Sequence, residues 1–201
     1  GAFVTVNTNR KNLNDTLKLV AEVLQKPALD EKEFDLYKSE TKVAIEQQLQ
    51  DPQAIAFRAF SRHQSPFPKG HPSYTGTFEE DLAALGATSL ADVKRFHKDF
   101  YGSNSMQITV VGDFDKAQTT KVLDEITANW QSANSYKRVD TPYQKLSNKA
   151  MDFNTPDKEN ATFVASMSVP VGQNHADAPA LTIGNYMLGG GFLNSRLATR
   201  L

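Results

Sequence analysis

Met106-Gln107-Ile108-Thr109-Val110-Val111-Gly112-Asp113 is the stretch on which the fold class turns. Its first six residues have strand composition, and Gly112-Asp113 punctuates the run. A helix reads directly on from it, over roughly Asp115 to Trp130. A strand that feeds at once into a helix points to a chain mixing both kinds of element. Upstream, Ala2-Phe3-Val4-Thr5-Val6 has similar β-branched and aromatic content. That opening strand has no neighbour in sequence. Either it pairs with Met106–Val111 across the intervening helices, or its partners lie outside this chain.

The region between the two strands reads as helical. Leu13, Leu17, Val20 and Leu24 form one apolar stripe over Asn12 to Leu24, and Pro27 stops that helix. A second helix runs from about Asp30 to Gln50, with Asp30 as N-cap and Glu33 three residues on. Its Phe34, Tyr37, Thr41, Ile45 and Leu49 share a face, and Glu, Lys and Gln fill the remainder. Asp51-Pro52 opens a third helix with a cap followed by Pro in the first turn. Ala56, Phe57, Phe60 and His63 give its inner side. Pro66, Pro68, Gly70 and Pro72 mark a loop over Ser65 to Tyr74. Thr77 with Glu80, and Ser89 with Asp92, open two short helices ended by Gly86 and Gly102.

Beyond Trp130 the chain turns polar over 131–148, without apolar period, and reads as a linker. Two further strands are expected, at about 149–154 and 160–170. In the second, Ala161, Phe163, Ala165, Met167 and Val169 alternate with Thr162, Val164, Ser166 and Ser168. Asp177 caps a helix with Pro179 in its first turn, and the helix runs out in Gly189-Gly190-Gly191. Asn194 to Leu201 reads as a last helix cut short by the chain end. No internal repeat of solenoid period is present.

Composition narrows the function. The 201 residues hold 22 Lys and Arg against 23 Asp and Glu, a net charge of -1. A general nucleic-acid binder shows a basic excess instead. No apolar run approaches the twenty residues of a membrane span, and no basic-then-apolar signal peptide opens the chain. Cysteine is absent, which excludes disulfides, thiolate metal sites and cysteine nucleophiles.

No catalytic set emerges from spacing. His63, His71, His97 and His175 include no pair three or four residues apart, the spacing that places two imidazoles on one helical face. His63 and His71 flank the Pro-rich loop and are placed to approach each other. Glu31, Glu33, Asp35, Glu40 and Glu46 alternate with Lys32, Lys38 and Lys42, the pattern of a solvated helix face. Gly189-Gly190-Gly191 lacks the preceding strand and following Lys-Ser/Thr of a phosphate loop. It reads as a helix stop or a place where another backbone comes close. Ser195 has no histidine at a diagnostic spacing.

Six stretches, in order, resemble one family, the pitrilysin/insulinase-type zinc metallopeptidases, whose active members carry H-x-x-E-H. They are Ala21-Glu22-Val23-Leu24-Gln25-Lys26-Pro27 with Glu33-Phe34; Asp51-Pro52; Gly70-His71-Pro72; the Thr88 to Tyr101 pattern containing Asp92-Val93 and Phe96-His97; Val110-Val111-Gly112-Asp113-Phe114-Asp115; and Gly189-Gly190-Gly191-Phe192-Leu193-Asn194-Ser195-Arg196-Leu197. The resemblance implies an α+β fold, with helices on one face of a mixed or antiparallel sheet. In the family, two halves close like a clam around a chamber. One half carries zinc, and the other helps to hold the substrate.

Two departures place this chain with the zinc-free half. It has no H-x-x-E-H. In the register that sets Val43 on the family's central Val, Glu40 and Gln47 occupy the positions of two glutamates, so a neutral amide stands where zinc-bearing members have a ligand. The resemblance thus implies no catalytic and no metal residue here, and zinc in a separate half. Gly189, Gly190, Gly191, Ser195 and Arg196 are the residues expected at a substrate chamber or interface. An Arg-Tyr pair that engages substrate in the family falls past Leu201. The implied organisation is the later part of one domain over 1–131, a linker over 132–146, and the first part of the next over 147–201.

The function this implies is an inactive segment of a zinc endopeptidase that walls the chamber and positions peptide while hydrolysis occurs elsewhere. Its partners would be the zinc-bearing half, in the same polypeptide or another subunit, and a peptide substrate, with no nucleic acid. Exported bacterial relatives incline the compartment to the periplasm. The alternative within the superfamily is a non-proteolytic assembly subunit like the core subunits of a respiratory complex. Outside it stands an unrelated α+β peptide-binding module.

Overall fold

Helix caps written into the sequence set where the chain becomes regular. The computed structural model describes residues 2–200, and of these all side chains but that of Phe192. Six helices come first: α1 (Leu13–Gln25), α2 (Glu31–Gln48), α3 (Pro52–Gln64), α4 (Phe78–Ala87), α5 (Leu90–Phe100) and α6 (Lys116–Thr127). A seventh, α7 (Ala178–Asn185), follows after a long irregular stretch and runs into a π-helical turn over Tyr186–Gly190.

The cap chemistry accounts for the starts. Asp30 accepts the N–H groups of Lys32 and Glu33, Asp51 that of Ala54, and Asp115 that of Gln118. Each carboxylate satisfies N–H groups that the helix itself leaves unpaired. Thr77 with Glu80 and Ser89 with Asp92 form complete reciprocal capping boxes. Asp177 differs, since its side chain makes no cap bond. Its N–H donates instead to Nδ1 of His175 at 3.1 Å. Gly86 lies inside α4 rather than ending it. Asn194 ends a short 3₁₀ turn, Ser195 to Arg200 forms a bend and turns in place of the expected helix, and Leu201 lies outside the described residues.

The expected α+β fold is not what forms. The structure is all helical, and no strand occurs among the described residues. The four expected strands, at 2–6, 106–111, 149–154 and 160–170, are irregular backbone without a ladder. Strand propensity is fitness for a pleated surface with neighbours on either side. It becomes a strand only where a second segment lies about 4.8 Å away and exchanges backbone hydrogen bonds. Here those segments face water instead. Phe3 is 91% exposed, Val111 90% and Phe163 92%.

The chain falls into two compact units. The first comprises Gly1–Val139 with Phe153–Thr162, the second Asp140–Asp152 with Phe163–Leu201. In the first unit, α1 packs on α6 and α2 packs on α4. The α1–α6 pair holds two of the buried apolar side chains, Ala21 and Val122, and the buried Thr119. Gln25 Nε2 donates to the Ile126 carbonyl at 2.6 Å. His97 of α5 joins this group, its Nε2 lying 2.7 Å from the Leu24 carbonyl. A carbonyl can only accept, so that nitrogen carries the proton.

On the α2–α4 side, Lys38 Nζ donates to the Gly86 and Thr88 carbonyls at 3.2 and 2.8 Å. A cation there meets unpaired carbonyls and the negative end of the helix dipole. Arg58 of α3 pairs with Asp81 at 2.7 Å, donates to the Gly76 carbonyl and stands 4.4 Å from the centre of the Phe78 ring. Phe78 is buried, so Arg58 ties α3 to the start of α4.

Candidate functional site

The glycine-rich turn belongs to the second unit. The helix widens just past α7, where the Gly191 N–H donates to the Tyr186 carbonyl at 2.9 Å, five residues back. That spacing is the π-helical one, an arrangement often found at functional positions. After a short 3₁₀ turn over Phe192–Asn194 the chain doubles back. The N–H of Arg196 donates to the Met187 carbonyl at 3.1 Å, and that of Leu197 to the Leu188 carbonyl at 3.0 Å.

Packing around the three glycines is tightest at Gly189 and Gly191. A Cβ on Gly189 would lie 3.2 Å from Leu197 Cδ1. On Gly191 it would lie 3.3 Å from the Tyr186 carbonyl oxygen and 3.5 Å from the Tyr186 ring. On Gly190 it would lie 3.5 Å from the Asn185 carbonyl. At Gly191 the close neighbour is the backbone of the preceding turn, and at Gly189 it is the Leu197 side chain.

Ser195 and Arg196 point to different roles. Ser195 is 2% exposed. Its Oγ accepts the N–H of Ala198 at 3.3 Å, and its carbonyl accepts from Thr199. It pins the turn from within. Arg196 is exposed beside it, as are the large apolar side chains of Leu181, Ile183, Tyr186, Met187, Leu188, Leu193 and Leu197. These exposed apolar side chains flank the exposed Arg196 in the sequence.

Three of the histidines are engaged within their own surroundings. His71 Nδ1 accepts the Ser73 N–H at 3.0 Å, and its ring stacks on Phe67 at 4.3 Å. His97 is committed to the Leu24 carbonyl, and His175 to the N–H of Asp177. Glu40 and Gln47 lie exposed along α2. Among the described residues no three of His, Asp and Glu group as a metal shell would require.

Sequence reasoning passed over one polar cluster. Glu80 closes the capping box with the Thr77 N–H, accepts from Tyr74 Oη at 2.7 Å and pairs with Lys69 at 2.9 Å. The Thr77 backbone N–H first, then Tyr74 and Lys69, lower its pKa from the usual 4.5 to about 2. The same bond raises the Tyr74 phenol. Asp92, held by the Ser89 hydroxyl and N–H and by Arg95, also falls to about 2. The capping box was legible from spacing, but Lys69 and Tyr74 reach Glu80 only through the loop.

These two carboxylates make the fold acid-sensitive in a defined window. A carboxylate whose folded pKa lies below its unfolded one stabilises the fold above the unfolded value, and the gain disappears as the folded group is protonated. Stability should therefore decline as pH falls from about 4.5 toward 2. Glu80→Gln should flatten part of that decline, and chemical denaturation at stepped pH measures it. An unchanged slope would mean that Glu80 is not so held.

Residues 87–201, over half of the chain, match the model of the Peptidase M16 inactive domain. The chain belongs to that family, on the side of it that lacks the catalytic centre. No curated protein and no solved structure matches it.

Proposed function

We propose that this chain is a chamber-wall segment of an M16-type zinc endopeptidase, holding peptide while a separate zinc-bearing half performs the hydrolysis. The observation that carries the reading is the inactive-domain match over 87–201. The exposed side chains of Leu188, Leu193 and Leu197, with exposed Arg196 among them in the sequence, support it. Apolar side chains take up side chains of an extended peptide, and a guanidinium takes up carbonyls or a carboxylate. Gly189, Gly190 and Gly191 keep the backbone low where the peptide would lie, and Ser195 holds the turn in place. In this reading residues 1–131 and 147–201 belong to successive domains joined by 132–146. The partner is the zinc-bearing half, in the same polypeptide or as another subunit.

The test is reconstitution. The chain alone should bind no stoichiometric zinc and cleave no peptide, and the assembly with its zinc-bearing half should do both. Arg196→Ala should raise KM of the assembly roughly tenfold, the loss of one charge-assisted hydrogen bond, while zinc content and kcat hold. Zinc-dependent cleavage by the chain alone would overturn the reading. An assembly without zinc or activity would favour a structural subunit of the same superfamily.

A further inference from the structure

Residues 133–145 are the longest run of exposed residues outside a helix among those described. The run is fixed at both ends. Upstream, Asn104 Oδ1 accepts from the N–H and Oγ of Ser132, and the Asn134 N–H donates to the Asp99 carbonyl at 3.0 Å. Downstream, Leu146 is half-buried. Between these points the backbone over 135–145 is irregular. The boundary between the two compact units falls inside this stretch, between Val139 and Asp140. Lys137 and Arg138 stand side by side just before it. Tyr136 and Val139, on either side of the basic pair, are exposed as well.

Exposed, irregular chain is where proteolytic nicking concentrates. An extended segment can be laid along another protein's backbone as it stands. A helix must first unwind, and its cleavage then follows the small population of the open form. The basic residues of α1 to α6 are held in that way. Outside the helices, Arg10 is paired with Asp113 and Lys69 with Glu80. The N–H of Lys158 is bonded to the Thr155 carbonyl, and that of Arg196 to the Met187 carbonyl. Lys145 abuts the half-buried Leu146, and Lys149 lies beyond it. Lys137 and Arg138 instead lie well inside the exposed run.

We propose that the Arg138–Val139 peptide bond is a proteolytic processing site, cut by a serine endopeptidase whose primary pocket holds a carboxylate. That carboxylate pairs with the Arg138 guanidinium through two parallel N–H bonds. Lys137 places a second positive charge beside it. The reaction is hydrolysis and needs only water. The Arg138 carbonyl carbon gains the hydroxyl, and the Val139 nitrogen leaves as an amine with the proton. All of α1 to α6 lies on the N-terminal side of the cut, so those helices stay on one fragment. The inference does not depend on the proposed function.

Brief digestion of the full chain with a trace of trypsin, read by intact-mass spectrometry, gives the order of the cuts. The first should fall after Arg138, releasing 1–138 and 139–201. It should run roughly tenfold or more ahead of any cut inside α1 to α6. Lys137→Gln with Arg138→Gln should slow the first cut about tenfold, because the pocket carboxylate loses its cation. Circular dichroism should be unchanged, since both side chains lie in exposed, irregular chain. A first cut at Lys145, at Lys149 or within a helix would overturn the assignment. So would a double variant cut as fast as the parent. Should that variant misfold, its helices are cut sooner, and the order of cuts in the parent chain then decides.

Discussion

Gly102→Ala should destabilise the first unit by about 3 kcal/mol or more, at the upper end of what overpacking costs. A Cβ at this position would collide with the Ser132 amide nitrogen and stand 2.7 Å from the Gln131 carbonyl carbon. Both neighbours are backbone, so no side chain can swing aside to admit a methyl group. The segment that must move is tied on both flanks. Ser103 donates its N–H to the Trp130 carbonyl at 2.7 Å and its Oγ to the Thr127 and Trp130 carbonyls. Asn104 Oδ1 accepts from both the N–H and the Oγ of Ser132. Relieving the clash therefore loosens the bonds that fasten the end of α6 to the end of α5. For a chain of this size the loss corresponds to a fall in Tm of roughly 6–12 °C. Thermal and denaturant unfolding would measure it, and a loss under about 1 kcal/mol would show that the two backbones are not so close.

Arg58→Ala should cost about 2–3 kcal/mol, the range for hydrogen bonds to charged groups with their partners left behind. The side chain of Arg58 is 23% exposed and that of Asp81 38%. Screening by water therefore keeps the loss below the 3–5 kcal/mol typical of fully buried pairs. Three contacts disappear together: the Asp81 ion pair, the bond to the Gly76 carbonyl and the guanidinium on the Phe78 ring. Arg58→Lys should recover less than half of the loss, because an ammonium cannot serve Asp81, the carbonyl and the ring face at once. Denaturant titration of the parent chain and both variants separates the two effects. Full recovery by lysine would mean that charge alone matters at this position.

Legibility followed the range of the interactions. Asp30, Asp51, Thr77, Ser89 and Asp115 each cap a helix through a bond to an N–H two or three residues on. Such bonds are complete within one turn of chain, so spacing alone reveals them. The positive φ of Gly112 lies in the Gly-Asp pair read as a break in the chain. Asp177 shows the limit of that reasoning. It stands at the right position, yet His175 takes up its N–H, and its own carboxylate goes unused as a cap.

What lay beyond local reach depended on tertiary neighbours. The alternation over 160–170 is as strand-like as any in the chain, but half of every ladder bond belongs to a partner that the sequence of one segment does not name. Without that partner the expected sheet is absent, and Phe163 and Met167 stand in water. The inward turn of Ser195, the reach of Lys38 to the end of α4 and the backbone pressed against Gly102 join residues distant in sequence in the same way. By itself the sequence determined where helices begin, which chemistry its histidines and carboxylates are not spaced to perform, and which family the chain resembles, because those properties reside in short runs of residues. Only the tertiary structure decided which backbone groups find partners, which glycine admits no side chain and which serine is buried, because each depends on segments that meet in space alone.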